Sequence, residues 1–405
     1  MPNAVPKQPP LTLSQYAGAA SETDRFAKVS GGTSKLTFGF FGEVGGLLAA
    51  LKKVNRDQLL ESETEVAGEE IGDALWYLVA MSAAQNVDPQ QLGQHCLASL
   101  RKRFNECDHD GHGAVSFRQI DGIIDVHGSD LALRRVELLS ELARMSGEVV
   151  GHGTREQLSL GDATRANQFG QLLAVLGLVC ASFLLKLEDV ARDNLVKIHG
   201  RWPGSSRAYR DAFDNSFPEH ERLPRILPIE FIERGQVGST YVVQRLNGVH
   251  VGDRLTDNSN EADDYRFHDV FHLAYVAHLG WSPVIRSLLK LKRKSNAAVD
   301  ENEDGARAMI IEEGIATWIF NHAKRRRFYE DVEPGKLDYG LLKQVHSMVS
   351  GYEVDSCPLW QWEQAILDGF RVFRELRKTE HRGGMVVVNM TDHTLTFQPA
   401  TRSTE

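Results

Sequence analysis

The sequence predicts a mainly α chain in two parts: an all-α N-terminal helical bundle built as an internal pseudo-dimer, then a mainly helical α+β domain. Three observations carry this. Residues 11–204 alternate helical apolar periodicity with polar connectors, and Pro203-Gly204-Ser205-Ser206 breaks the pattern. Two stretches of that half read as copies of one unit. After Pro224 short β-branched runs enter, at Ile229-Glu230-Phe231-Ile232 and Tyr241-Val242-Val243, with a closing hairpin at Val386-Val387-Val388 and Leu395-Thr396-Phe397.

The two copies are Glu69-Glu70-Ile71-Gly72-Asp73-Ala74-Leu75-Trp76-Tyr77-Leu78 and Asn167-Gln168-Phe169-Gly170-Gln171-Leu172-Leu173-Ala174-Val175-Leu176. Aligned on their glycines, the acids Glu70 and Asp73 face the amides Gln168 and Gln171. Leu97 then lies 27 residues past Glu70 (97 − 70), and Leu195 lies 27 past Gln168 (195 − 168). Around these leucines the loss runs the other way: Cys96 and Ser99 in the first copy, Asn194 and Lys197 in the second. Upstream, Gly42-Glu43-Val44-Gly45-Gly46 answers Gly147-Glu148-Val149-Val150-Gly151, at unequal intervals that an unequal loop explains. Arg103-Phe104 and Arg201-Trp202 close the units. The expected organisation is a disordered Pro-rich leader at 1–10, a first repeat at 11–106 and an inserted connector at 107–128. A degenerate second repeat follows at 129–204 and a C-terminal domain at 225–400.

Glu70 and Asp73 are i and i+3, on one face of a helix, and a second helix carrying Glu43 can bring a third carboxylate to them. Carboxylates without His or Cys suit a hard cation such as Mg²⁺, which keeps sites for water and phosphate. A lone E-x-x-D is most often a solvated helix face. Here Leu75, Trp76, Leu78 and Val79 make the stretch strongly apolar, which favours acids that point into a bundle.

On these residues, and on Asn194 through Arg201 and the opening Leu11-Thr12-Leu13-Ser14-Gln15-Tyr16, the chain resembles the MazG-like all-α nucleoside triphosphate pyrophosphohydrolases, a family that also includes dimeric dUTPases. The resemblance covers about residues 11–204. It implies a Mg²⁺-dependent hydrolase that cleaves a nucleoside triphosphate between the α and β phosphates, giving the monophosphate and pyrophosphate. Glu43, Glu70 and Asp73 match the family's metal-holding, catalytic acids. Gly46 stands where the family has the second glutamate of E-x-x-E. Asn194, Lys197 and Arg201 match substrate-binding positions, on the second repeat.

Two further motifs stand apart. Asp108 through Gln119 resembles a twelve-residue EF-hand loop, but Gln119 replaces the closing glutamate and His112 an oxygen ligand, so an accidental turn is the stronger reading. His268-Asp269-Val270-Phe271-His272 places two imidazoles one helical turn apart, and Glu312-Glu313 follows on an apolar helix. This set is loosely similar to gluzincin metallopeptidases, with Asp269 as possible base, and to HD-type phosphohydrolases with His250 as an earlier ligand. A transition metal (Zn, Mn or Fe) is the expected occupant, and the bland alternative is a pair of hydrogen-bonded helix histidines. In that reading the C-terminal domain is the hydrolase and the repeats bind or sense nucleotide. A third reading is a non-enzymatic assembly module. Asp300 through Asp304 reads as solvated loop, Lys290 through Lys294 as a helix end, and Trp360 and Trp362 as packing residues.

A net charge of −9 argues against general nucleic-acid binding. Four cysteines without metal spacing exclude a disulfide scaffold. The longest apolar run, Leu172 to Leu185, is too short to span a membrane. The resemblance implies a nucleotide partner; a homo-oligomer is one option for assembly, and the cytoplasm is the expected compartment.

Overall fold

The computed structural model describes residues 8–27, 29–57, 62–107, 113–159, 161–204, 207–236 and 239–399. Positions 1–7 of the expected leader and 108–112 of the EF-hand-like loop lie outside them. The chain divides into two compact units, Met1–Gly204 and Ser205–Glu405.

The first unit is all helix among its described residues: α1 (Leu13–Ser21), α2 (Gly32–Asp57), α3 (Glu63–Ala84), α4 (Pro89–Phe104), α5 (Phe117–His127), α6 (Arg135–Ser159), α7 (Asp162–Ser182) and α8 (Leu187–Arg201). Their starts are written in the sequence. Thr12 with Gln15, Ser62 with Glu65 and Ser116 with Gln119 form reciprocal capping boxes, and Asp88 caps α4 ahead of Pro89. Gln119 therefore serves as a cap: its Oε1 accepts from the Ser116 backbone at 2.8 Å. The stretch expected as a connector also contributes α5 to the core, through Phe117, Ile120 and Ile124.

Helix α2 packs on α3 and α6 on α7, while α3 also meets α8, α4 meets α7, and α2 meets α6. The two aligned glycines sit at the crossings. A Cβ on Gly72 would lie 3.2 Å from Asn194 Cβ on α8, and one on Gly170 would lie 2.9 Å from the Cys96 nitrogen on α4. These contacts correspond by one constant offset of 98 residues (170 − 72 and 194 − 96). No single helix among the described residues is long and apolar enough to cross a membrane; α7 with α8 passes only as a pair bent by 98°. The apolar run of α7 is buried in the bundle.

The second unit carries a five-stranded antiparallel sheet of order β3-β2-β1-β4-β5, from β1 (Ile226–Arg234), β2 (Tyr241–Leu246), β3 (Val249–Leu255), β4 (Gly383–Asn389) and β5 (Thr394–Pro399). β1 holds Pro228 although it is the central strand. Only its end Glu230–Arg234 pairs with β2, so the proline lies where one side of the strand is open. Asn247 and Gly248, both with positive φ, turn β2 into β3, a strand the sequence reading did not place.

Helices α9 (Asp269–Leu279), α10 (Pro283–Leu289), α11 (Ala297–Asn302), α12 (Ala306–Lys324), α13 (Tyr339–Met348) and α14 (Leu359–Leu376) complete this unit. Every residue of α9 is buried, because α14 packs on it and it lies on β4 and β5. Trp360 and Trp362 are buried packing residues. The loop expected at 300–304 is corrected. Residues 297–302 form α11, capped by Asn296, and Asp304 is buried against Arg293, which also pairs with Glu353. Opposite charges far enough apart in sequence to look solvated are buried here as pairs.

Candidate active site and candidate metal centre

In the first unit, α2 supplies Glu43, α3 supplies Glu69, Glu70 and Asp73, and α8 supplies Asn194 and Lys197. Asn194 Nδ2 donates to Asp73 Oδ1 at 3.1 Å, and Lys197 Nζ donates to Asp73 Oδ2 at 2.5 Å and to Glu69 Oε1 at 2.9 Å. Tyr16 of α1 fixes the amide by donating its hydroxyl to Asn194 Oδ1 at 2.8 Å. The close crossing at Gly72 lets α8 come near enough for these bonds. Burial first, and then the negative fields of Asp73 and Glu70, push the Glu43 carboxyl up to about 7.

Gly46, one turn from Glu43, matters by what it lacks. A Cβ there would lie 2.5 Å from Glu70 Oε2, so the Glu70 carboxylate occupies the space that a side chain at 46 would need. Beside the cluster opens a cavity of about 370 Å³, lined by Gly68, Glu69, Gly72, Asp193, Asn194 and Lys197. Arg201, one turn past Lys197, is buried with its guanidinium 5.3 Å from the Trp202 ring centre. Tyr16 and Glu69 were not singled out as site residues from sequence. Tyr16 lay in the opening motif, whereas the part played by Glu69 depends on the reach of Lys197 across the bundle.

The positions 98 residues away along the chain carry no such set. Gln168 and Gln171 replace the acids on α7, Cys96 and Ser99 stand on α4, and Glu148 on α6 is an exposed partner of Arg144.

In the second unit His268 sits at the residue before α9, and His272 one turn inside it. An imidazole nitrogen of each and a carboxylate oxygen of Asp269 lie within 4.8 Å of one another. His268 Nδ1 faces the Tyr265 carbonyl at 2.9 Å, and the Tyr265 ring stacks on the imidazole with centres 4.3 Å apart. His272 Nδ1 bonds Glu312 Oε1 at 2.8 Å, both side chains being fully buried. Glu312 is itself fixed by Ser282 Oγ at 2.6 Å and the Val284 N–H at 2.9 Å. Gln244 of β2 donates to Asp269 Oδ2 at 2.6 Å. Burial opposes a charge on His272, but the field and hydrogen bond of Glu312 outweigh it and hold its imidazolium well above the ordinary histidine range.

The adjacent glutamates part company. Glu313 is half-buried, with Oε2 3.4 Å from His272 Nε2 and 3.8 Å from His268 Nε2. His250, the earlier ligand of the HD-type reading, is exposed on β3 and stands outside the cluster.

Residues 208–401 match the family model of the MazG C-terminal domain. The match supports a MazG-like family and does not reach the first unit. No curated protein and no solved structure matches the chain.

Proposed function

We propose that the first unit is a nucleotide pyrophosphohydrolase that cleaves a nucleoside triphosphate to the monophosphate and pyrophosphate. The observation that carries this is the meeting of Glu43, Glu70 and Asp73 from α2 and α3 with Asn194 and Lys197 from α8. The MazG-like second unit of the same chain supports a hydrolase of this type.

The donor set suits Mg²⁺: carboxylate oxygens only, close enough that two of them, with burial, raise the pKa of the third. Glu43, Glu70 and Asp73 would hold it, and bound there it would neutralise phosphate charge and lower the pKa of a water. The chain's own residues do the rest. Lys197, on the cavity wall, offers the cation for a phosphate oxygen; Asn194, its oxygen accepting from Tyr16, turns its Nδ2 donor towards Asp73. Arg201 closes the α8 end of the substrate-binding set.

The repeat is part of this proposal. Matching crossings at Gly72 and Gly170 support two copies related by a pseudo-twofold, of which one keeps the acids and the other supplies the cation and amide. The test is release of pyrophosphate rather than phosphate from a panel of nucleoside triphosphates, with and without Mg²⁺. Pyrophosphate release that needs Mg²⁺ and disappears in Asp73→Asn is expected. Normal turnover by that variant overturns the assignment.

A further inference from the structure

The side chains around α9 divide into those that would touch an ion and those that hold them in place. The Tyr265 carbonyl can only accept, so His268 Nδ1 carries the proton and Nε2 keeps its lone pair. Glu312 already accepts from Ser282 and Val284, so it too serves as acceptor for His272 Nδ1–H. His272 Nε2 is then left in a fully buried side chain with no aligned hydrogen-bond partner. A buried nitrogen without a partner is unfavourable, and a metal ion that displaces the Nε2 proton of His272 supplies one.

We propose that His268 Nε2, His272 Nε2 and Glu313 Oε2 form a binding site for one divalent transition metal of the zinc class, with Asp269 Oδ1 on its fourth side. The spacings fit. Bonds of about 2.0–2.1 Å at tetrahedral angles put neighbouring ligand atoms ~3.3 Å apart. Here Glu313 Oε2 is 3.4 Å from His272 Nε2, and His268 Nε2 is 3.2 Å from Asp269 Oδ1 and 3.8 Å from Glu313 Oε2. Two neutral imidazoles with two carboxylates balance a charge of +2, and nitrogen donors select zinc-class ions over Mg²⁺ or Ca²⁺.

The same geometry decides between the two glutamates. Neighbours on a helix point about 100° apart. Glu313 faces both Nε2 atoms, while Glu312 reaches the far nitrogen of His272 and is a positioning residue, as carboxylates behind metal-bound histidines are. Asp269 is positioned in turn by Gln244. The half-exposed Glu313 side is the one open to water and to a substrate with an oxygen to coordinate.

The site belongs to the second unit alone and does not rest on the pyrophosphohydrolase reading. Full-length protein stripped with a chelator is titrated with Zn²⁺ against a chromogenic competitor, and separately with Co²⁺ to read its visible bands. One tight site per chain is expected, retained in Asp73→Asn. Glu313→Gln, a substitution at a half-exposed position, should weaken it by about 100-fold, and Glu312→Gln by roughly 10-fold, within the range for partners behind a ligand. Circular dichroism and thermal unfolding in chelator show which variants remain folded. The proposal fails if the parent binds neither ion tightly, which would leave an ordinary buried His–Glu pair. It also fails if folded Glu313→Gln binds as well as the parent, or if Asp73→Asn alone abolishes the site. A larger loss in folded Glu312→Gln than in Glu313→Gln reverses the roles and overturns the assignment.

Discussion

The acid cluster of α2 and α3 and the histidine cluster of α9 each gather charged groups at one point, but they restrain them differently. Around α9 the buried carboxylates have fixed neighbours: Glu312 is held by His272 Nδ1, Ser282 and Val284, and Asp269 by Gln244. Around α3 the restraint is a long lysine and an asparagine reaching across from α8. The difference follows from burial. Charges taken fully out of water must be bonded on all sides, whereas partly solvated carboxylates can leave neutralisation to one mobile cation.

Five measurements bear on that contrast. Glu312→Ala strands His272, the Ser282 hydroxyl and the Val284 N–H in a dry site, so urea unfolding should show a loss of about 3–5 kcal/mol. The same truncation at Glu70, which is partly solvated, should cost less than about 1 kcal/mol; equal losses would erase the contrast. Asp73→Asn comes next: steady-state pyrophosphate release should fall by about 100-fold, roughly 2.7 kcal/mol, with the unfolding midpoint nearly unmoved.

The pH dependence is smaller. Glu43 ionises at about 7 in the fold against 4.5 for a free side chain, so the folded state holds more protons over that window. Its contribution is present in full below the lower value and is lost as pH rises through the upper one. In chelator, the parent should lose about 1 kcal/mol relative to Glu43→Gln between about pH 4.5 and 7, a figure reduced for solvent screening at its open side. A flat difference would mean that Glu43 is neither buried nor close to the other acids.

Gly46→Ala should change stability least. The helix gains about 1 kcal/mol in propensity and gives it back in moving the end of the Glu70 side chain. Thermal unfolding within a degree or two of the parent is expected. A drop of many degrees would mean that Glu70 is held as firmly as Glu312.

The helices of the first unit were legible because their periodicity, capping boxes and Asp-Pro start sit in contiguous sequence. Glu43, Glu70 and Asp73 were legible because i, i+3 spacing fixes a shared face. The division between Glu312 and Glu313 was not, since it depends on which neighbour each rotation of the helix meets. α11 was hidden by the acidic run that it opens, and Asp304, just beyond its end, is neutralised by an arginine eleven residues away in sequence. β3 had a signal in Asn247-Gly248, the dipeptide of a tight hairpin, and weak apolar alternation masked it.

The reach of Lys197 to both Glu69 and Asp73 bears on the order in which this bundle assembles. Without a cation between them, acids one helical turn apart repel and favour fraying of that helix stretch. An ammonium delivered by α8 supplies the counter-charge from within the chain, so closure of the bundle does not wait on any ion from solution. On the proposed function, folding and loading would be separate events, and an ion would enter in competition with a tethered amine whose local concentration never falls. That competition would set a threshold against dilute or singly charged cations.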